Sequence, residues 1–177
     1  MDGGNISGAN SAILVLNPVA TGDAAADYNV VVSGTAPCAA VTSDNSALLV
    51  NEAVNITTQP ITQTQCSGNS VSFTVTATGS GLAYQWRRNG SPLADGGDIS
   101  GVNTTTLNIA NLTAANAGDY TVVVSGLAPC NAVTSNIAVL TVNTAVSIDV
   151  QPADTVAVCA TFPATFTVSA SGTGLTY

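Results

Sequence analysis

The sequence predicts an all-β protein built from repeated β-sandwich units. Three observations carry that expectation. Segments recur 92 or 93 positions apart, a spacing close to the length of one small β domain. The runs between turn residues are short and rich in Val, Thr and Ile, as strands are. Within them, apolar and hydroxyl residues alternate, which gives a strand one buried and one wet face.

The repeat is legible residue by residue. Asp2-Gly-Gly-Asn-Ile-Ser-Gly8 returns as Asp95-Gly-Gly-Asp-Ile-Ser-Gly101. Tyr28-Asn-Val-Val-Val-Ser-Gly34 returns as Tyr120-Thr-Val-Val-Val-Ser-Gly126, and Ala36-Pro-Cys38 as Ala128-Pro-Cys130. Gln59-Pro60 matches Gln151-Pro152, Cys66 matches Cys159, and Leu82-Ala-Tyr84 matches Leu175-Thr-Tyr177. The phase divides the chain into residues 1–53, the back half of one unit; 54–143, a complete unit; and 144–177, the front half of another. Between them the two halves lack only counterparts of Gln85 through Leu93.

Within the complete unit the strands are expected in order. Val71-Ser-Phe-Thr-Val-Thr-Ala77 puts Val71, Phe73, Val75 and Ala77 on one side. Leu82, Tyr84 and Trp86 share a face of the next strand, which ends in the turn Arg87-Arg-Asn-Gly-Ser-Pro92. Thr106-Leu-Asn-Ile109 follows, with Leu107 and Ile109 inward and Leu112 as an anchor. Ala117-Gly-Asp-Tyr-Thr-Val-Val-Val124 aligns Tyr120, Val122 and Val124, and Ile137-Ala-Val-Leu-Thr-Val142 closes the unit. A single helical turn is expected at Ala114-Ala-Asn-Ala117.

Composition excludes several functions. The chain has 10 acidic and 2 basic residues, for a net charge of −8, which repels phosphate backbones and argues against nucleic-acid binding. It has no His and no Lys, so Ser/His/Asp and Cys/His catalysis cannot be assembled from its own residues. No run reaches the roughly 18 apolar residues of a membrane-spanning helix, and no membrane insertion is expected. The first residues have neither the basic start nor the apolar core of a signal peptide. A neutral, hydroxyl-rich surface suits a secreted protein, whose export signal would then lie outside this sequence.

Val75-Thr-Ala-Thr-Gly79, Trp86, Leu107-Asn-Ile109 and Ala117-Gly-Asp-Tyr120-Thr-Val122 together resemble an immunoglobulin-like domain of the intermediate type. The resemblance implies a core tryptophan at Trp86 and a tyrosine corner at Tyr120. Val75 and Val122 stand where that family usually carries its buried disulfide. The expected core is therefore Trp86 packed on Phe73, Val75 and Val122, with Tyr120 beside them, worth a few kcal/mol by area.

The Gln-Pro, Cys-x-Gly, Tyr-x-Trp, Gly-x-Tyr, late Cys and Val-Thr-Ser series further resembles tandem immunoglobulin-like repeats in large secreted or surface proteins of Bacteroidota-type bacteria. In such a sandwich Cys66 and Cys130 are expected to meet at one end as an intra-domain disulfide. It would close a loop of about 65 residues, worth roughly 4 kcal/mol in the loop-entropy model; the alternative is two free thiols. Cys38 and Cys159 are expected to bridge neighbouring subunits.

Other motifs have plainer readings. Asp95-Gly-Gly-Asp98 and Asp2-Gly-Gly-Asn5 offer too few oxygens for calcium and read as turns. Arg87-Arg88 reads as a solvated strand end. Asn55-Ile-Thr57, Asn89-Gly-Ser91, Asn103-Thr-Thr105 and Asn111-Leu-Thr113 match the N-glycan acceptor, a match expected by chance in an Asn/Thr-rich chain. Asp154-Thr-Val156 resembles a short bacterial O-glycan acceptor.

The expected function is a non-enzymatic structural element, without cofactor or metal, of an extracellular or cell-surface tandem protein. It would serve as stalk, adhesin spacer or filament subunit. Its partners would be adjacent repeats or neighbouring copies of itself, joined head-to-tail by completion of the half-domains. The alternative is a module binding a surface glycan or protein, accessory to a larger secreted enzyme.

Overall fold

Alternating side chains commit each short strand to one buried face, and the core lies where two such faces meet. The computed structural model describes residues 2–154 and 156–177. The triplet Asp154-Thr-Val156 therefore includes a position, 155, outside the described residues.

The amino-terminal segment carries three separate strand pairs. β1 (Ile6–Ser7) pairs with β2 (Val15–Leu16), β3 (Ala25–Tyr28) with β6 (Ser46–Leu48), and β4 (Val31–Val32) with β5 (Val41–Thr42), all antiparallel. A 3-10 turn, Thr21–Asp23, precedes β3.

The central segment forms the sandwich. Its strands are β7 (Asn55–Thr58), β8 (Gln63–Cys66), β9 (Val71–Thr74), β10 (Thr76–Thr78), β11 (Ala83–Arg88), β12 (Ser91–Pro92), β13 (Ile99–Ser100), β14 (Thr106–Ile109), β15 (Gly118–Ser125), β16 (Val133–Thr134) and β17 (Ala138–Asn143). One layer runs β12-β11-β15-β17-β8, with β16 also on β15; the other holds β13-β14-β9 and the pair β10-β7. Pairing is antiparallel except for β8, which lies parallel to β17. Val75 interrupts the β9–β10 run and donates its N–H to the Thr105 carbonyl at 2.9 Å. The carboxyl-terminal segment contributes β18 (Ser147–Val150) paired with β19 (Ser169–Ser171).

The buried hydrophobic residues, among those described, all fall between Val54 and Leu140. Trp86 and Tyr120 are each 0 % exposed, and Phe73, Val75 and Val122 are buried with them. Phe73 packs near both rings, 6.2 Å from Trp86 and 4.8 Å from Tyr120 between centroids. The Trp86 indole N–H is satisfied by the Thr104 carbonyl at 2.9 Å, as a buried polar group requires. The Tyr120 hydroxyl donates to the Asn116 carbonyl at 2.6 Å, across the 3-10 turn Ala114–Asn116. Burial raises the Tyr120 hydroxyl above its ordinary pKa, while a hydrogen bond from Arg88 and its charge act in the opposite sense.

Gly101 shows why the repeated segment that starts at Asp95 ends in a glycine. Its φ is +81, and an added Cβ would run into the Thr106 carbonyl oxygen. Gly8 repeats this, with φ +79 and the Ile13 carbonyl in the way.

Candidate functional site

The central sandwich has two poles, and each is tied to a linker. At the amino pole, the Asn51 amide nitrogen donates to the Ala128 carbonyl at 2.8 Å, and the Glu52 N–H donates to the Ser80 hydroxyl at 2.9 Å. The Cys130 thiol sits 3.6 Å from the Asn51 carbonyl oxygen. At the carboxyl pole, Cys66 stands in register with Asn143 at the end of β17. The Ser67 N–H donates to the Asn143 carbonyl at 2.8 Å, and the Ala145 N–H reaches the Ser67 hydroxyl at 3.3 Å.

This corrects the expected Cys66–Cys130 bridge. β17 runs antiparallel to β15 with Leu140 opposite Gly118, so Asn143 and Cys66 lie beyond the start of β15. Cys130 follows the other end of that strand, after Ser125. A strand of this length separates its ends by roughly 20 Å at about 3.3 Å per residue, whereas a disulfide spans about 7 Å at most between Cα atoms. All four cysteines are free thiols. Cys38 and Cys159, the pair expected to bridge neighbouring subunits, sit in turns that match the other two cysteines. Cys38 shares the turn of Cys130, each cysteine N–H bonding three residues back, to Thr35 and Leu127. Cys159 shares the turn of Cys66, accepting from Phe162 as Cys66 accepts from Asn69.

The outer segments reproduce the local bonding of the centre. Tyr28 donates to the Asp23 carbonyl at 2.7 Å as Tyr120 does to Asn116. The Asp2 carboxylate accepts from the Ala9 N–H at 2.7 Å as that of Asp95 accepts from Val102 at 3.0 Å. The hydrogen bonds from the Ala9 and Gly8 backbone hold the Asp2 carboxyl below the usual carboxylate range. Thr144 and Thr173 exchange the bonds that Glu52 and Ser80 exchange.

What the outer segments lack is burial. Phe73 is 1 % exposed, but its counterpart Phe166 is 66 % exposed. Leu107 is 0 % exposed, but its counterpart Leu14 is 45 % exposed. Val30 and Val32 match the buried Val122 and Val124, and both are open to solvent, as is Tyr177, the counterpart of Tyr84. A groove of about 680 Å³ runs between the Gly8–Leu14 side and the Asn29–Ser33 side of the amino-terminal segment.

The remaining motifs are engaged within the fold. Asp95 closes its loop onto Val102, and the Asp98 carboxylate accepts from the Asn111 amide at 2.7 Å. Arg88 donates to the Ala115 carbonyl at 2.8 Å, while the buried Arg87 Nε finds no hydrogen-bond partner among the described residues. The Asn89 side chain accepts from the Asp119 N–H at 2.9 Å. Among the described residues, no three His, Cys, Asp or Glu side chains gather as a metal site, and no helix is long and apolar enough to cross a membrane.

Comparison with known proteins agrees with this architecture. Residues 55–126 match the immunoglobulin domain family. The structure resembles a titin segment of three immunoglobulin domains carrying an E-to-A change, at 18% identity and TM-score 0.65, over 86% of this chain and 54% of that one. It also resembles extracellular domains 3–5 of Drosophila OTK, at 16% identity and TM-score 0.62, over 78% of this chain and 46% of the other. This chain thus spans about half the length of those multi-domain structures. No curated protein matches by sequence. The fold is an all-β, immunoglobulin-like sandwich within a tandem arrangement.

Proposed function

We propose that this immunoglobulin-fold chain is a non-enzymatic structural element of an extracellular or cell-surface array, a stalk, spacer or filament subunit. In this reading residues 54–143 form one whole unit, and the outer segments are halves of adjoining units that neighbouring repeats complete. One observation carries the proposal. Three successive segments share one hydrogen-bonding framework, while core residues buried in the centre are bare at the flanks. Bare core faces are sticky, and a matching half-sandwich is the surface that fits them.

Chemistry supports a structural role over a catalytic one. With no His or Lys in the sequence, the most frequent general base is missing. In the central unit, Trp86, Tyr120 and Phe73 are buried as packing rather than offered to a ligand. An extracellular setting is supported by the low charge and hydroxyl-rich composition.

Analytical ultracentrifugation with electron microscopy tests the proposal. Elongated particles with units arranged in a row are expected. A compact, rounded particle would contradict it.

A further inference from the structure

A cleft at the carboxyl pole of the central sandwich is lined by polar side chains that the fold does not use. We propose that it is a binding site for a neutral saccharide, held by the amides of Gln65, Asn69 and Asn111 and the hydroxyl of Ser70. The site goes beyond the array reading and does not depend on it. A structural repeat can carry such a site, and its failure would leave that reading intact.

The cleft, about 530 Å³ in volume, opens between the turn that joins β8 to β9 and the loop that follows β14. Main-chain bonds hold its two sides together. The Gly68 N–H donates to the Leu112 carbonyl at 2.7 Å, and the Leu112 N–H returns to the Asn69 carbonyl at 2.8 Å. The Asn69 N–H donates to the Cys66 carbonyl at 3.2 Å. Side chains with spare hydrogen-bonding capacity stand around this base. Asn111 has φ +45, in the left-handed region that Asn tolerates better than most residues. Its amide nitrogen donates to the Asp98 carboxylate at 2.7 Å, which leaves its side-chain oxygen as an acceptor. Gln65, Asn69 and Ser70 line the same cleft with no side-chain hydrogen bond to another described residue.

The turn does not need these amides. The offset that carries Cys66 to Cys159 also carries Gln65 to Val158, Asn69 to Phe162 and Ser70 to Pro163. The offset that carries Asp95 to Asp2 carries Asn111 to Pro18. Yet the Phe162 N–H donates to the Cys159 carbonyl at 3.2 Å, the same distance as Asn69 to Cys66. The main-chain framework is thus repeated, while the polar lining belongs to the central unit alone. That lining also selects the ligand class. Amides and a hydroxyl set donors and acceptors side by side, as neighbouring sugar hydroxyls require. No cation lines the cleft, and the Asp98 carboxylate lies beside Asn111, so phosphates and acidic sugars are disfavoured. An extended peptide would need free main-chain groups to pair with, and the Gly68, Asn69 and Leu112 N–H groups are already bonded. Asn69, Ser70 and Asn111 are exposed and no aromatic ring lines the cleft, so binding is weak and rests on hydrogen bonds.

Amide NMR of the full chain, titrated with neutral gluco-, manno-, xylo- and galacto-oligosaccharides, tests the site. The expected result is a saturable shift with at least one series, confined to the backbone of Gly68–Ser70 and Ala110–Leu112 and to the side-chain amides of Gln65, Asn69 and Asn111. Polygalacturonate, an acidic sugar polymer, should give none. Gln65→Val and Asn69→Phe introduce side chains that the matching turn at Cys159 already carries, so the remaining amide signals should stay in place. Each should weaken binding about fivefold or more, the effect of losing one or two hydrogen bonds. Asn69→Ala removes the same bonds without filling the cleft, and it should weaken binding too. Shifts undiminished in these variants, saturable shifts elsewhere on the chain, or no shift with any neutral series would overturn the site. Binding of polygalacturonate at the cleft would overturn the neutral ligand class.

Discussion

Phe73 stacks on Tyr120 with ring centroids 4.8 Å apart and planes 18° from parallel. The contact joins β9 of one layer to β15 of the other, so one ring pair pins the two sheets together. Tyr120 reaches it from a strand whose other inward residues, Val122 and Val124, are fully buried.

Phe73→Ala should therefore be the most damaging single truncation in the β9 strand. It removes a ring packed on both Trp86 and Tyr120 and leaves a cavity, a change that costs about 3–5 kcal/mol in typical cores. Chemical denaturation of the full chain should show that loss. Phe73→Leu should recover much of it. A loss below about 1 kcal/mol would mean the sheets are held elsewhere.

Tyr120 should make stability fall at alkaline pH. Burial raises its folded pKa above the ordinary value of about 10. The neutral hydroxyl is thus favoured in the folded state, and ionisation is easier when unfolded. The contribution is complete below the unfolded pKa and is lost as pH rises through the raised folded one. Melting temperatures measured from pH 8 upward should drop beyond about pH 10, and Tyr120→Phe should flatten that part of the drop. The same variant should lose about 1 kcal/mol at neutral pH, because the Asn116 carbonyl loses its donor.

Gly101→Ala should destabilise through the backbone rather than through lost contacts. The position has a positive φ, and the added methyl meets the Thr106 carbonyl. A cost of roughly 1–3 kcal/mol is expected from such strain. Since the Asp95 carboxylate is already bonded to the Val102 N–H, millimolar calcium should leave the melting temperature of the wild-type chain unchanged. A calcium-dependent rise would reinstate the metal reading of the Asp-Gly-Gly loop.

These outcomes turn on features of differing visibility in the sequence. Alternation in Val71–Val75 and the Trp86 and Tyr120 positions are local patterns, so the main strands and their inward faces could be read directly. The short strands β7, β8, β12 and β16 could not, because a stretch such as Gln63–Cys66 has no apolar alternation and gains its strand form from pairing with β17. Cysteine geometry was hidden for the same reason. Spacing places Cys66 before one strand and Cys130 after another, but only the Asn143 and Asn51 contacts reveal which end each occupies. Phe73 on Tyr120 likewise depends on the distance between layers, which no single strand encodes.

The flanks should be energetically separate from the central unit. Phe166 and Leu14 are exposed, whereas their counterparts Phe73 and Leu107 are buried. Phe166→Asp and Leu14→Asp should therefore each leave the unfolding free energy within about 0.5 kcal/mol of wild type, in line with ordinary surface substitutions. Chemical denaturation checks this: a loss as large as that of a core truncation would show that the flanks share in the core.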